Sequence, residues 1–335
     1  MHVFGQPLPP NSTEPGLDAT LVGDLGGTHL RLARLHPDRP LSSQRHAISS
    51  ETQFWSTLES VTADIHTLIL SVAGPVSASP AIPITNRPWS LDATALLTRL
   101  SLTRLIVTND IAALAYTLPD ARTASCIRPS RWDFDANASP TAPMLVIGVG
   151  TGLGAAIWTP APTPAALPQV LPTEAGHITL PAETDEQWQV IHALRQRWER
   201  VSAERIVSGA GLAVLYATLR QLDGLTTDTV SPAFVSAATD DHALRTRTLF
   251  ATWLGTVVGD LVLATGTWGG VLISGGALIA MGSTFDSDAF LAAFDRKGRF
   301  TARMSDVPIF LHQDPEAALS GLARQAEALL SSAAP

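Results

Sequence analysis

Cysteine is almost absent from this chain. Cys126 stands alone among 335 residues, which excludes an internal disulfide and any zinc site built from several cysteines, and suits a reducing compartment. Runs of basic residues are missing too, and with a net charge of −8 no nucleic-acid surface is expected. The N-terminal stretch MHVFGQPLPPNSTEPGLDAT has no basic segment followed by an apolar core, so it reads as a frayed polar tail rather than a signal peptide, and a cytoplasmic location is expected. Charge is scarcest between Phe250 and Met281, where Asp260 is alone and the length would span a bilayer. Yet Gly255, Gly259, Gly266, Gly269, Gly270, Gly275 and Gly276 interrupt that segment, and a central acid is costly in lipid. It therefore reads as a buried helix ending near Gly266 and a buried strand Val271 to Ser274, with no membrane partner.

What remains is a globular composition, 45% hydrophobic and 16% charged, on a chain long enough for two domains. Leu21 to Leu35, LVGDLGGTHLRLARL, runs from an apolar strand into Asp24, then Gly26, Gly27 and Thr28, then a second short-period apolar run. A hairpin with a glycine turn is the expectation, and its backbone N–H groups could hold a phosphate at close approach. Asp24, at the strand end, is placed to hold a hydrated Mg²⁺, although the same residues also suit an ordinary hairpin with a surface acid.

Met144 to Trp158, MLVIGVGTGLGAAIW, repeats that logic around Gly150, Thr151 and Gly152, which makes an internal repeat. The glycine spacing does not fit a dinucleotide fingerprint. Between the two hairpins, Thr52 to Ile65 has helical spacing and Thr67 to Ala73 reads as a strand. Ala81 to Asp92 reads as an irregular Pro-rich turn before a helix capped by Asp92 or Ser90. The alternation implies a mixed α/β layer architecture.

Leu102 to Asp110 is a buried strand that stops at Asn109 and Asp110, a place where α/β sheets bind ligands, while Asp110 would also serve as a helix N-cap. Leu118 to Pro143 is a Pro-rich excursion. LPTEAGHITL presents Glu174 and His177 on a turn. Gln187 to Trp198 places Trp188, Ile191, Leu194 and Trp198 on one helical face. Ser202 and Ser208 are read as caps, the first for a short helix carrying Glu204, and Thr226 to Asp241 as a polar connection. Ser274, Gly275 and Gly276 follow a strand and would let backbone approach a flat ligand such as adenine. Phe285 to Phe300 and Pro315 to Leu330 read as helices.

Taken in order, LVGDLGGTHLRLA, ITNRPW, VTNDIAALAY, IGVGTGLGAA, PTEAGH, VSAERIVSGAGL, GGVLISGG and FDRKGRF resemble the bacterial glucokinases of the hexokinase and actin-like ATPase superfamily, over nearly the whole chain. The resemblance implies an α/β, two-domain, ribonuclease H-like fold with the active site in the interdomain cleft. A small domain would comprise 19–109 plus 315–335 and a large one 110–314, after a tail at 1–18. It implies ATP as co-substrate, Mg²⁺, D-glucose as acceptor and a homodimer.

Asp110 matches the general base, and Asn109, Glu174, His177 and Glu204 match other sugar ligands. Gly26, Gly27 and Thr28 match the first phosphate motif, Gly150, Thr151 and Gly152 the second, and Gly275 with Gly276 the adenosine motif. His29 stands where Asn is frequent, and Ala175 where Gly is frequent. The zinc-containing relatives are excluded by the cysteine count. A kinase for another hexose such as mannose or an amino sugar, which a substrate panel separates, is one alternative, and a non-catalytic sugar sensor, against which the presence of Asp110 argues, is the other.

Overall fold

The computed structural model describes residues 1–5, 16–85, 87–118, 124–128, 141–163, 168–226 and 229–331. The chain forms two compact units, Met1–Pro119 with Pro160–Val170 and Glu316–Pro335, and Asp120–Thr159 with Leu171–Pro315.

In chain order the first unit contains β1 (His2–Gly5), β2 (Thr20–Leu25), β3 (His29–Arg34), β4 (Gln44–Ala47), α1 (Glu51–Val61), β5 (Thr67–Val72), β6 (Ala81–Pro83), β7 (Ser90–Asp92), α2 (Ala93–Arg99), β8 (Arg104–Asn109) and α3 (Asp110–Ala115). The C-terminal helix α11 (Ala317–Ser331) completes it. Six strands form one sheet in the order β1-β8-β5-β2-β3-β4, with β2, β5 and β8 parallel. Alternate strand residues point to opposite faces, so the sheet buries two cores. Leu21, Leu30, Leu68, Leu70 and Leu105 meet Phe54 and Leu58 of α1 and Leu96 of α2 on one side. Val22, Ala33, Ile69 and Ile106 meet Ala113 of α3 and Leu319 and Leu322 of α11 on the other. The caps follow the sequence: Ser50 accepts from Gln53 N–H, and Asp92 from Thr94 and Ala95 N–H.

Three expectations change here. The tail is not frayed throughout, because His2–Gly5 pairs antiparallel with Arg104–Val107 as an edge strand. The Pro-rich turn contains a two-stranded ribbon, Ala81 opposite Asp92 and Pro83 opposite Ser90, while Asn86 lies outside the described residues. The division does not fall at residue 110, because α3 packs on α11 and stays with the first unit.

The second unit contains β9 (Ala124–Arg128), β10 (Met144–Val149), β11 (Leu153–Thr159), β12 (Gln169–Thr173), α4 (Asp185–Leu194), α5 (Gly209–Leu222), α6 (Pro232–Ala237), α7 (Asp241–Thr265), β13 (Gly270–Ser274), α8 (Gly276–Met281), α9 (Ser287–Asp295), α10 (Thr301–Met304) and β14 (Ile309–His312). Its sheet order is β12-β11-β10-β13-β14-β9, with β10, β13 and β14 parallel. Each unit thus builds its sheet from a hairpin whose first strand joins two parallel strands, closed by an antiparallel strand that precedes the hairpin in sequence. The repeat seen in the glycine turns is a repeat of whole sheets.

Helix α7 is long and apolar enough to cross a membrane by length and composition. Its apolar residues are spent on the interior instead, with Phe250, Trp253, Leu254, Val257 and Val258 packed among Phe290 and Phe294 of α9. Gly255 and Gly259 make that approach possible: a Cβ on Gly255 would stand 3.0 Å from the Phe290 carbonyl carbon, and one on Gly259 2.6 Å from Lys297 Cε. Lys297 is the only lysine in the chain. Its side chain is 5% exposed, with Nζ 2.7 Å from Asp260 and donating to the Thr256 carbonyl at 3.1 Å.

Other elements differ from the sequence reading. The inward face of α4 is Gln187, Val190, Ile191 and Leu194, whereas Trp188 is 59% exposed and Trp198 lies past the helix between Arg197 and Arg205. The polar connection holds α6, and α9 ends at Asp295, before Arg296 and Lys297. Much of the Pro-rich excursion lies outside the described residues, but its Ala124–Arg128 is an edge strand.

Candidate functional site

In the first unit the carboxyl ends of β2, β5 and β8 lie on one sheet edge, with Leu25 opposite Val72 and Val72 opposite Asn109. Two strand spacings, about 10 Å, therefore separate the Gly26–Thr28 turn from the start of α3. The hairpin is as expected: Leu25 pairs with Leu30, and Gly26 N–H donates to His29 O at 3.0 Å. A Cβ on Gly27 would meet nothing within 4 Å, so the tip of the turn opens on free space.

Asp24 does not stand free at the strand end. It is 6% exposed and accepts from Ser71 Oγ at 2.7 Å and from Arg31 Nη1 at 3.0 Å. A carboxylate neutralised in this way suits contact with a hydrated cation through water better than direct ligation.

Two arginines that sequence spacing does not single out hold this turn. Arg87 donates to the carbonyls of Gly26 at 2.9 Å and Ile48 at 3.1 Å, and burial lowers its pKa. Arg45 reaches His29 Nδ1 at 3.3 Å. Among the described residues no carboxylate pairs with either, so the turn carries a local positive field suited to an anion.

At the end of β8, Asn109 rather than Asp110 caps α3. Its Oδ1 accepts from Ile111 N–H at 3.0 Å and Ala112 N–H at 3.2 Å, and its Nδ2 donates to Gly74 O at 3.1 Å. Much of its polar capacity therefore maintains the turn. Asp110 is the first helical residue, with Oδ1 accepting from Ile111 N–H at 2.9 Å.

The second unit brings its predicted residues together. Glu174 precedes the short 3-10 turn Ala175–His177, and Glu204 sits in the 3-10 turn Ala203–Arg205; Thr179 and Ser202 bridge the two segments. His177 Nε2 lies 3.8 Å from Glu174 and Nδ1 4.0 Å from Glu204. Arg200 fixes the turn by donating to the His177 carbonyl at 2.6 Å. Ser202 flanks its turn without a side-chain cap, whereas Ser208 caps α5 through Gly211 N–H.

Glu204 also reaches the second hairpin. Its Oε2 accepts from Leu153 N–H at 3.3 Å, and a Cβ on Gly152 would overlap that oxygen. Gly150 N–H donates to Gly152 O at 2.9 Å, and Gly209 N–H to Gly150 O at 2.8 Å, so the turn is held from both sides. Gly275, at φ +125°, lies against β10: a Cβ there would stand 2.5 Å from the Val149 carbonyl carbon. Its close approach is to the end of β10, while Gly276 faces open space.

Among the described residues, no cluster of three or more His, Cys, Asp or Glu could hold a metal. Polyol hydroxyls are suited to the acceptors and donors at Glu174, His177 and Glu204, and a phosphate chain to the open space beside Gly27 and Gly150.

A model of the glucokinase family matches residues 21–329. A glucokinase of Nitrobacter hamburgensis is 36% identical over 315 residues, 90% of this chain and 95% of that protein. A crystal structure of a glucokinase from an Antarctic psychrotroph aligns with a TM-score of 0.73 at 29% identity, covering 92% of this chain and 98% of that one. A glucokinase from Balamuthia mandrillaris in complex with glucose gives a TM-score of 0.78 at 18% identity over 91% and 92% of the two chains, a likeness of fold.

Proposed function

The chain belongs to the glucokinase family, and on that premise we propose how its two units divide the reaction. Its fold is the two-unit α/β fold of actin-like ATPases, and it is an ATP-dependent hexose kinase that transfers the γ-phosphoryl group to the 6-hydroxyl of D-glucose, giving glucose 6-phosphate and ADP. The first unit supplies Asp110 as general base and the Gly26–Thr28 turn for phosphate. The second supplies Gly150–Gly152 for phosphate, Gly276 at the adenosine, with Gly275 shaping the backbone there, and Glu174, His177 and Glu204 for the sugar. Asn109 contributes chiefly by shaping the start of α3.

The observation that carries this reading is the meeting of Glu174, His177 and Glu204 beside the Gly152 turn. Hydroxyl readers confer strong selectivity, because an analogue lacking one hydroxyl leaves a buried polar group unpaired. Phosphoryl transfer passes through a loose transition state, so positioning and charge neutralisation supply much of the acceleration. The sugar alcohol is a weak acid, and Asp110 takes its proton late, contributing on the order of 10²- to 10⁴-fold. Asp24 would hold a hydrated Mg²⁺ through water, and the ion would supply further charge neutralisation. A cytoplasmic homodimer is part of the proposal.

The test is a coupled assay for hexose 6-phosphate with ATP and Mg²⁺ across glucose, mannose and glucosamine. Glucose should give the highest kcat/KM; equal or faster turnover of another sugar would overturn the glucose assignment.

A further inference from the structure

The Thr28 hydroxyl lies 2.7 Å from Nδ1 of His29, and Nη2 of Arg45 lies 3.3 Å from the same nitrogen. A guanidinium has no lone pair to offer, so Nδ1 is the acceptor in both contacts and Thr28 must donate to it. The hydroxyl proton then points at the ring, and Thr28 presents only lone pairs to anything else in the turn. A phosphate oxygen is itself an acceptor, so neutral His29 leaves Thr28 with no hydrogen bond to give. Protonation reverses this polarity. Nδ1–H then donates to Thr28 Oγ, the hydroxyl proton is released to donate elsewhere, and a positive charge is added beside the turn.

We propose that His29 is a proton-linked positioning residue for the nucleotide: when the phosphates enter the first turn, the imidazole takes up one proton from solvent and re-aims the Thr28 hydroxyl at a phosphate oxygen. The proposal rests on the reading of Gly26–Thr28 as a phosphate turn and deepens it.

The charged groups around the ring are Arg31 on its own strand, Arg45 opposite Arg31 on β4, Asp24 on β2 and Arg87 on the Gly26 carbonyl. Arg31 takes up the charge of Asp24, and His46 pairs with Leu30 on the opposite face of the sheet. The surroundings are therefore cationic. Desolvation first, then Arg45 and Arg31, hold the His29 pKa below the ordinary histidine value. A polyanion in the turn offsets the arginines and raises it. A group whose pKa is higher in the complex strengthens binding fully below its free pKa, and the gain disappears as pH rises through the pKa of the complex. One linked proton can change the dissociation constant by at most about tenfold per pH unit.

The experiment is calorimetric titration of the full chain with ADP and excess Mg²⁺ between about pH 5 and 8, in buffers of small and large ionisation enthalpy, for the parent, His29→Asn, Thr28→Val and the double variant. Protons exchanged by ADP itself are common to all four. The parent should take up additional protons and lose several-fold more affinity than His29→Asn as pH rises. In the Thr28→Val background, the His29 substitution should alter the pH profile much less. Parallel profiles for the parent and His29→Asn would overturn the proposal while leaving the phosphate turn standing. ADP affinity unchanged in Thr28→Val and in Gly27→Val would overturn the phosphate turn itself.

Discussion

Replacing Gly152 by alanine asks whether one carboxylate serves both the sugar site and the second phosphate turn. The new Cβ would overlap Oε2 of Glu204 and stand 3.2 Å from its Cδ, while no backbone atom comes that close. The obstructed group is the end of a flexible side chain that is 34% exposed, so it swings away and the fold survives. Its hydrogen bond from Leu153 N–H and its place beside His177 are lost. A hydrogen bond to a charged group contributes roughly 1.5–3 kcal/mol, which corresponds to about 10- to 150-fold in kcat/KM for glucose. Gly150→Ala supplies the contrast, because its Cβ meets nothing within 4 Å and would project into the space assigned to phosphate. Steady-state kinetics with each substrate varied in turn, alongside thermal melts, should show Gly152→Ala acting mainly on glucose and Gly150→Ala mainly on ATP, with near-parental melting. Unchanged glucose kinetics in Gly152→Ala would refute the assigned role of Glu204.

Asp110→Ala should lower kcat by about 10²- to 10⁴-fold while glucose still perturbs tryptophan fluorescence; near-parental turnover would remove Asp110 from the base role. Gly321→Ala would drive a methyl group into the Ala113 carbonyl, forcing α11 away from α3, with an expected loss of about 1–3 kcal/mol in chemical denaturation. Asp260→Ala should destabilise the protein more than Lys297→Met, because it leaves a buried ammonium without its counter-ion whereas methionine fills the same channel. Burial, opposed by Asp314, lowers the pKa of His312, whose Nδ1 accepts from Asp314 N–H. The unfolded chain binds that proton more readily, so the His312 contribution is full above about pH 6.5 and is lost as pH falls toward the folded pKa. Melting temperature should drop over that window less steeply in His312→Gln.

The two hairpins were legible in the sequence because their determinants are local: short-period apolar residues on either side of glycines leave few other structures available. Glu174, His177 and Glu204 were singled out by resemblance, although their convergence depends on the Thr179–Ser202 bridge, which no spacing announces. Local reasoning failed where a distant partner decides. Nothing near His2–Val3 marks a strand until β8 offers an unpaired edge. The periodicity around Trp188 suits two overlapping helical faces, and the packing of Val190 and Leu194 selects the other one. Asp110 is the residue that reads as a cap in the sequence, but the cap is Asn109, which keeps extended backbone, φ −74° and ψ 148°. Arg87 escaped notice because the carbonyl it grips is 61 positions away.

The seclusion of Lys297 between α7 and α9 has a chemical consequence outside catalysis. With its only ε-amine enclosed and ion-paired, the folded chain offers acylating reagents no reactive lysine. A single lysine introduced on the surface would therefore be a unique ε-amine handle, fixing one orientation for a dye, a tether or a solid support.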